Sequence, residues 1–182
     1  MAAVHTVLGE IPPSQMGITL THEHLMIAWG SARYDRVHEY KTEPLIKEIC
    51  DDLGAASRDH GVKTIIDVTT PDMGRDMEIM VEVSRRTNVN VVAGTGFYRQ
   101  MAGIPLYFTM ASSEQAEEMM LHDIQQGVGP NRVKCGVIKL AISQSKLLPA
   151  EEKVFRAAGR VQKKLGVPIV MHTTGWDLIE GG

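Results

Sequence analysis

The chain has 182 residues, 43% hydrophobic and 23% charged, and 19 Lys+Arg against 22 Asp+Glu leave a net charge of −3. This composition fits one globular domain and excludes a disordered, collagen-like or coiled-coil chain. There is no basic field for nucleic acid or anionic lipid, no apolar run long enough to span a membrane and no signal-peptide pattern at the start, so the expected location is cytoplasmic.

In chain order, HTVLGEI and GITLTHEHL, separated by Pro12, Pro13 and Ser14, read as a short β-hairpin or as an irregular lead-in. Strands are predicted at Ile18–Thr21, Thr64–Thr69, Asn90–Gly94, Val133–Ala141 and Pro168–Thr173. TIIDV, VNVVAG and VPIVM are nearly continuous in apolar and β-branched residues, as strands buried on both faces are. Four amphipathic helices alternate with them. The first aligns Leu45, Ile49, Leu53 and Ala56, and the second Met73, Met77, Met80 and Val81. The third runs from a capping-box-like Ser112 and Gln115 to Gly127. The fourth aligns Val154, Ala158, Val161 and Leu165 before Gly166. The helical spacing of the methionines points to core packing rather than a soft-metal site. Cys50 and Cys135 form no CxxC pair and read as reduced thiols.

Repeated strand–helix–strand units imply an α/β fold with parallel strands and right-handed crossovers. An open doubly wound sheet is disfavoured, because Gly94-Thr95-Gly96 is only a fragment of a Gly-rich phosphate loop. A (β/α)₈ TIM barrel needs about 250 residues. Residues 1–182 are therefore expected to form a single, incomplete barrel domain of about five strands and four helices.

The sharpest local feature is Thr21-His22-Glu23-His24. Alternation along a strand aims His22 and His24 to one side, where two imidazoles can chelate a divalent cation, zinc being the commonest. Lys139, in GVIKLA, shares a face with Val137 and Ala141. A buried, unpaired ammonium there is costly, so it snorkels, pairs or is chemically altered. His172, in PIVMHTT, shares a face with Val170. In a parallel barrel all these strand ends converge on one mouth.

GITLTHEHL, TIIDVT, GTGFYR, GVIKLA and VPIVMHT, in this order, resemble the phosphotriesterase family of the amidohydrolase superfamily, which includes phosphotriesterase-like lactonases. The resemblance implies a centre of two divalent metal ions, zinc first among them. His22 and His24 would bind the more buried ion, an N-carboxylated Lys139 would bridge both, and His172 would bind the more exposed ion. Hydroxide acidified by the metals would attack a phosphotriester, lactone or related ester. Tyr98 matches a substrate contact at the pocket mouth, Arg99 is a contact for a substrate anion, and Asp67 is either an acceptor for a metal-bound histidine or a loop cap.

The family also implies a further histidine and an acid/base aspartate on later strands, beyond Gly182, and WDLIEGG offers no replacement. The isolated chain is therefore expected to be inactive. Two alternatives stand beside the hydrolase reading. One is a non-catalytic short form whose open barrel edges associate with another chain or form a homo-oligomer. The other is a metal-dependent nuclease-like barrel, which the charge balance and the fourth-strand lysine disfavour.

Overall fold

The computed structural model describes residues 3–29, 32, 35, 42–144 and 146–173, so the Trp176–Gly182 ending lies outside the described residues. A hairpin does open the chain. Its strands, β1 (Val4–Thr6) and β2 (Gly9–Ile11), pair antiparallel. The hairpin turns at Val7 and Leu8, inside HTVLGEI, where the Thr6 hydroxyl donates to the Gly9 carbonyl at 2.7 Å. The prolines form a separate 3-10 turn, Pro13–Gln15. The Val7 N–H donates to the Val91 carbonyl, which anchors the hairpin to the main sheet.

That sheet contains β3 (Ile18–Glu23), β4 (Val62–Asp67), β5 (Asn90–Gly96), β6 (Val137–Ala141) and β7 (Ile169–His172), all parallel and in sequence order. The crossovers carry α1 (Thr42–His60), α2 (Met77–Thr87), α3 (Leu106–Met110), α4 (Ser113–Gln125) and α5 (Pro149–Leu165). This is the strand–helix succession of a TIM barrel, represented by five of its strands.

Two predicted boundaries move for identifiable reasons. The second helix starts at Met77 rather than Met73, because Gly74 takes a left-handed φ of 85° and Asp76 caps the Glu78 and Ile79 N–H groups. The fourth strand starts at Val137 rather than Val133, because Val133 closes an antiparallel bridge with Val128. The capping box at Ser112 and Gln115 forms as expected. Helix α3 has no sequence periodicity to announce it, and Leu106, Tyr107 and Met110 stand exposed on it.

The core has two layers. Ile65, Val91, Ile138 and Leu140 face the helices and pack with Ile49, Met80, Met120 and Val161. Val68, Val92 and Val137, with Ile66 and Val170 against them, fill the concave side. A cavity of about 650 Å³ opens on that side at the amino ends of the strands, lined by Val4, Ile66, Val92, Val137 and Pro168 among others. It lies at the end opposite the residues discussed below. Among the described residues, no helix is long and apolar enough to cross a membrane.

Between α4 and α5, Glu117 accepts hydrogen bonds from Lys164 and Arg160, and these bonds hold its carboxyl below the usual range. A carboxyl with a lowered folded-state pKa adds stability at neutral pH that is lost as pH falls through its titration. Glu117→Gln should therefore lower the unfolding free energy at pH 7 by about 1 kcal/mol, with the difference from wild type closing at acid pH. Urea melts at several pH values check this, and a pH-independent difference would contradict it.

Candidate metal centre

The site begins with an irregularity in β3. Leu20 pairs with Ile65 and Glu23 with Asp67, so three steps on β3 match two on β4. Such a bulge re-aims the side chains that follow it. Leu20 packs against the helix-side core, whereas His22 reaches across to Lys139, its Nε2 lying 2.6 Å from Nζ. Strict alternation would have placed Leu20 and His22 on the same face.

Along β6 the alternation is regular. Ile138 and Leu140 join the helix-side core while Val137 faces the concave side, so Lys139 projects inward and is wholly buried. Ala141 pairs with His172 on β7. The His22 ring centroid lies 5.8 Å from that of His24 and 6.2 Å from that of His172. The four predicted ligands, His22, His24, Lys139 and His172, therefore gather at the carboxyl ends of three strands.

Burial, reinforced by Lys139 and the neighbouring rings, pushes His24 down to about 4. Burial and then Lys139 lower His22 and His172 as well. At neutral pH the three imidazoles are thus neutral, with lone pairs free for coordination. Burial also pushes the Lys139 amine down to about 8. Among the described residues no carboxylate pairs with it, and no three His, Cys, Asp or Glu side chains form a ready-made metal cage. The donor set fits a cation on one chemical condition. As an ammonium Lys139 repels the ion, whereas as a carbamate it supplies an anionic oxygen ligand.

The outer contacts distinguish the two readings of Asp67. His24 Nδ1 lies 2.9 Å from the Thr69 hydroxyl, not from Asp67. Asp67 accepts the backbone N–H groups of Leu25 and Thr69, both at 2.8 Å, and so acts as the loop cap, one step behind the ligand. Thr69 had no sequence signal beyond its place after a strand.

Tyr98 and Arg99 follow β5. Gly96, at φ 103°, allows this strand to lie against β6, since a Cβ there would sit 2.2 Å from the Lys139 carbonyl oxygen. The buried Asp72 carboxylate accepts the Tyr98 N–H, at 3.1 Å to its nearer oxygen. The Tyr98 hydroxyl then lies 3.2 Å from His172 Nε2. The Arg99 guanidinium carbon sits 5.5 Å from the Tyr98 ring centre. Behind β5, Arg75 donates to the Gly94 carbonyl and to Asp123, which also accepts the Thr95 hydroxyl.

A second buried carboxylate, Glu151, joins two loops at the same end. It accepts the Gln100 N–H at 2.9 Å from the loop after β5, and the Leu148 N–H at 3.0 Å and the Ser143 hydroxyl from the loop after β6. Gln100 in turn accepts the Ala150 N–H. Neither Asp72 nor Glu151 was flagged as a site residue from sequence, because backbone-accepting carboxylates have no characteristic spacing.

Residues 2–178 match the model of the phosphotriesterase family. The chain belongs to that family. Within it, the chain is similar to the aryldialkylphosphatase of Saccharolobus solfataricus, with 34% identity over 163 residues, 90% of this chain and 51% of that protein. It is 28% identical over 195 residues to the N-acetyltaurine hydrolase of Mus musculus, covering 93% of this chain and 56% of that one. A solved structure from work on molecular engineering of organophosphate hydrolysis activity from a weak promiscuous lactonase template superposes with a TM-score of 0.88 at 30% identity. That match covers 94% of this chain and 55% of the other. The chain spans about half the length of the curated relatives it matches. Its family relatives thus include named hydrolases, and its fold is that of a phosphotriesterase-family barrel.

Proposed function

We propose that the protein is a binuclear metal-dependent hydrolase of ester bonds, acting on a phosphotriester, lactone or related ester. The observation that carries this reading is the fully buried Lys139 amine set among three neutral imidazoles, with no carboxylate partner among the described residues. The names of the relatives support the hydrolase class. His22, His24 and His172 would hold two divalent cations, zinc first, with carboxylated Lys139 between them. When bound, the cations supply an acidified water and polarise the scissile bond's oxygen.

The protein's own residues set the conditions for that chemistry. Lys139 in its neutral form attacks carbon dioxide, a C–N bond forms and a proton is released, leaving an anionic carbamate. Thr69 orients the His24 ring through Nδ1, which leaves Nε2 for coordination. Tyr98, positioned by Asp72, contacts His172 and with Arg99 forms a wall of the mouth.

Among the described residues, no carboxylate joins the cluster to take the nucleophile's proton. The 182-residue chain should accordingly bind zinc and show a carbamate signal on Lys139 after exposure to ¹³C-bicarbonate, yet turn over neither paraoxon nor a lactone. Metal analysis, ¹³C spectroscopy and hydrolysis assays on one preparation test the three points. Full two-metal occupancy with ordinary turnover would refute the inactivity, and absence of both metal and carbamate would refute the metal centre.

A further inference from the structure

Arg99 has a chemical environment that the hydrolase reading leaves unexplained. Its Nε is buried without a hydrogen-bond partner, although buried donors are almost always paired. Among the described residues no carboxylate forms an ion pair with its guanidinium, in contrast to Arg75, Arg86, Arg156 and Arg160. The side chain is half-buried, so water only partly solvates its charge. Among the described residues its guanidinium stands over the Tyr98 ring, at 5.5 Å, and its charge acts on His172; a cation over an aromatic face is only modestly stabilised.

The position is as informative as the missing partner. The Tyr98 ring centre lies 5.2 Å from the His172 ring centre, so guanidinium and imidazole are each within one ring's breadth of the same tyrosine. Trp29 lies 6.2 Å from that ring and is exposed. The two buried carboxylates of this loop system accept backbone N–H groups, Asp72 that of Tyr98 and Glu151 that of Gln100. A positive charge with no carboxylate partner among the described residues therefore stands near His172, against an aromatic wall.

We infer that Arg99 forms an anion subsite, and that the substrates are small esters, lactones or related acyl compounds carrying a carboxylate or similar anionic group a few bonds from the scissile carbonyl. This rests on the hydrolase reading for the reaction and on Arg99 alone for the charge preference. Guanidinium forks pair with carboxylates through two parallel hydrogen bonds, so the planar anion gains direction as well as attraction. Tyr98 would pack against the apolar chain linking that anion to the carbonyl.

The test compares two stable probes of equal length: glutaric acid monoamide, which is anionic at pH 7.5, and its neutral diamide. Both are titrated into the zinc-loaded 182-residue chain, with binding read by calorimetry and by tryptophan fluorescence. The anion should bind about tenfold more tightly or better. Arg99→Gln should abolish that preference, and Arg99→Lys should retain part of it. Circular dichroism of both variants establishes that they are folded. A preference that survives Arg99→Gln would place the carboxylate on the metals or Lys139 and overturn the subsite, as would equal binding of the two probes by wild type. Zinc content on the same samples separates the two ideas. Arg99-dependent selectivity without zinc binding would sustain the subsite and sink the hydrolase reading, and zinc binding without selectivity would do the reverse.

Discussion

Lys139→Met should change two measurements in opposite directions. In chelator-treated protein the substitution removes a fully buried ammonium whose only recorded polar partner is the His22 imidazole, and it keeps the volume of the side chain. Replacing a poorly compensated buried charge by a well-packed apolar group stabilises by about 1–3 kcal/mol, which should raise the melting temperature by several degrees. In zinc-loaded protein the same variant lacks the lysine proposed to become an anionic bridge, so metal content should fall to one ion or less per chain. A purely structural lysine would give neither pattern: its loss would destabilise the chelated protein and leave metal content unchanged. Differential scanning calorimetry and metal analysis on the same two preparations decide between them.

The second large effect concerns the polar cluster behind β5. Asp123 and Arg75 are both nearly buried, 3.1 Å apart, and Asp123 also accepts the Thr95 hydroxyl. Asp123→Leu removes the carboxylate to which the Arg75 guanidinium donates, and breaking a buried pair in this one-sided way costs about 3–5 kcal/mol. The double change Arg75→Met with Asp123→Leu should recover part of that loss, since removing both partners of a buried pair costs less than removing one. Urea denaturation of the four proteins in the cycle measures the coupling. Additive losses would mean that the two residues do not act as a pair. Because Arg75 also holds the Gly94 carbonyl, the single variant should disturb β5 and the Tyr98 loop before it disturbs α1.

Where the sequence could be read, a steep energetic rule stood behind the residue. Lys139 stood out because a lysine in an apolar strand is expensive, and β4 and β5 stood out because strands buried on both faces tolerate little else, whereas the similar run in β7 leaves Ile169 and Met171 exposed. The helical stripes of α4 and α5 followed from caps and period, but Met73 was misassigned to α2, since apolar spacing alone does not reveal the left-handed turn at Gly74. The convergence of His22 and Lys139 on one mouth was expected for an incomplete reason. Alternation predicted that His22 and His24 would share a face, while the bulge that turns His22 away from the Leu20 side depends on register with β4 and is invisible in β3 itself. Thr69, Asp72 and Glu151 were missed because their roles are defined by backbone groups distant in sequence.

Glu151 makes the loops after β5 and β6 mechanically interdependent. One oxygen of its carboxylate takes donors from both loops and the other holds the Leu148 N–H, so a displacement of Tyr98 and Arg99 strains the segment following Lys139. Mutational libraries that diversify one loop while freezing the other would mostly sample misfitted pairs. Selectivity at the mouth and geometry at the lysine are thus inherited together, and variation in either is best explored as joint variation in both.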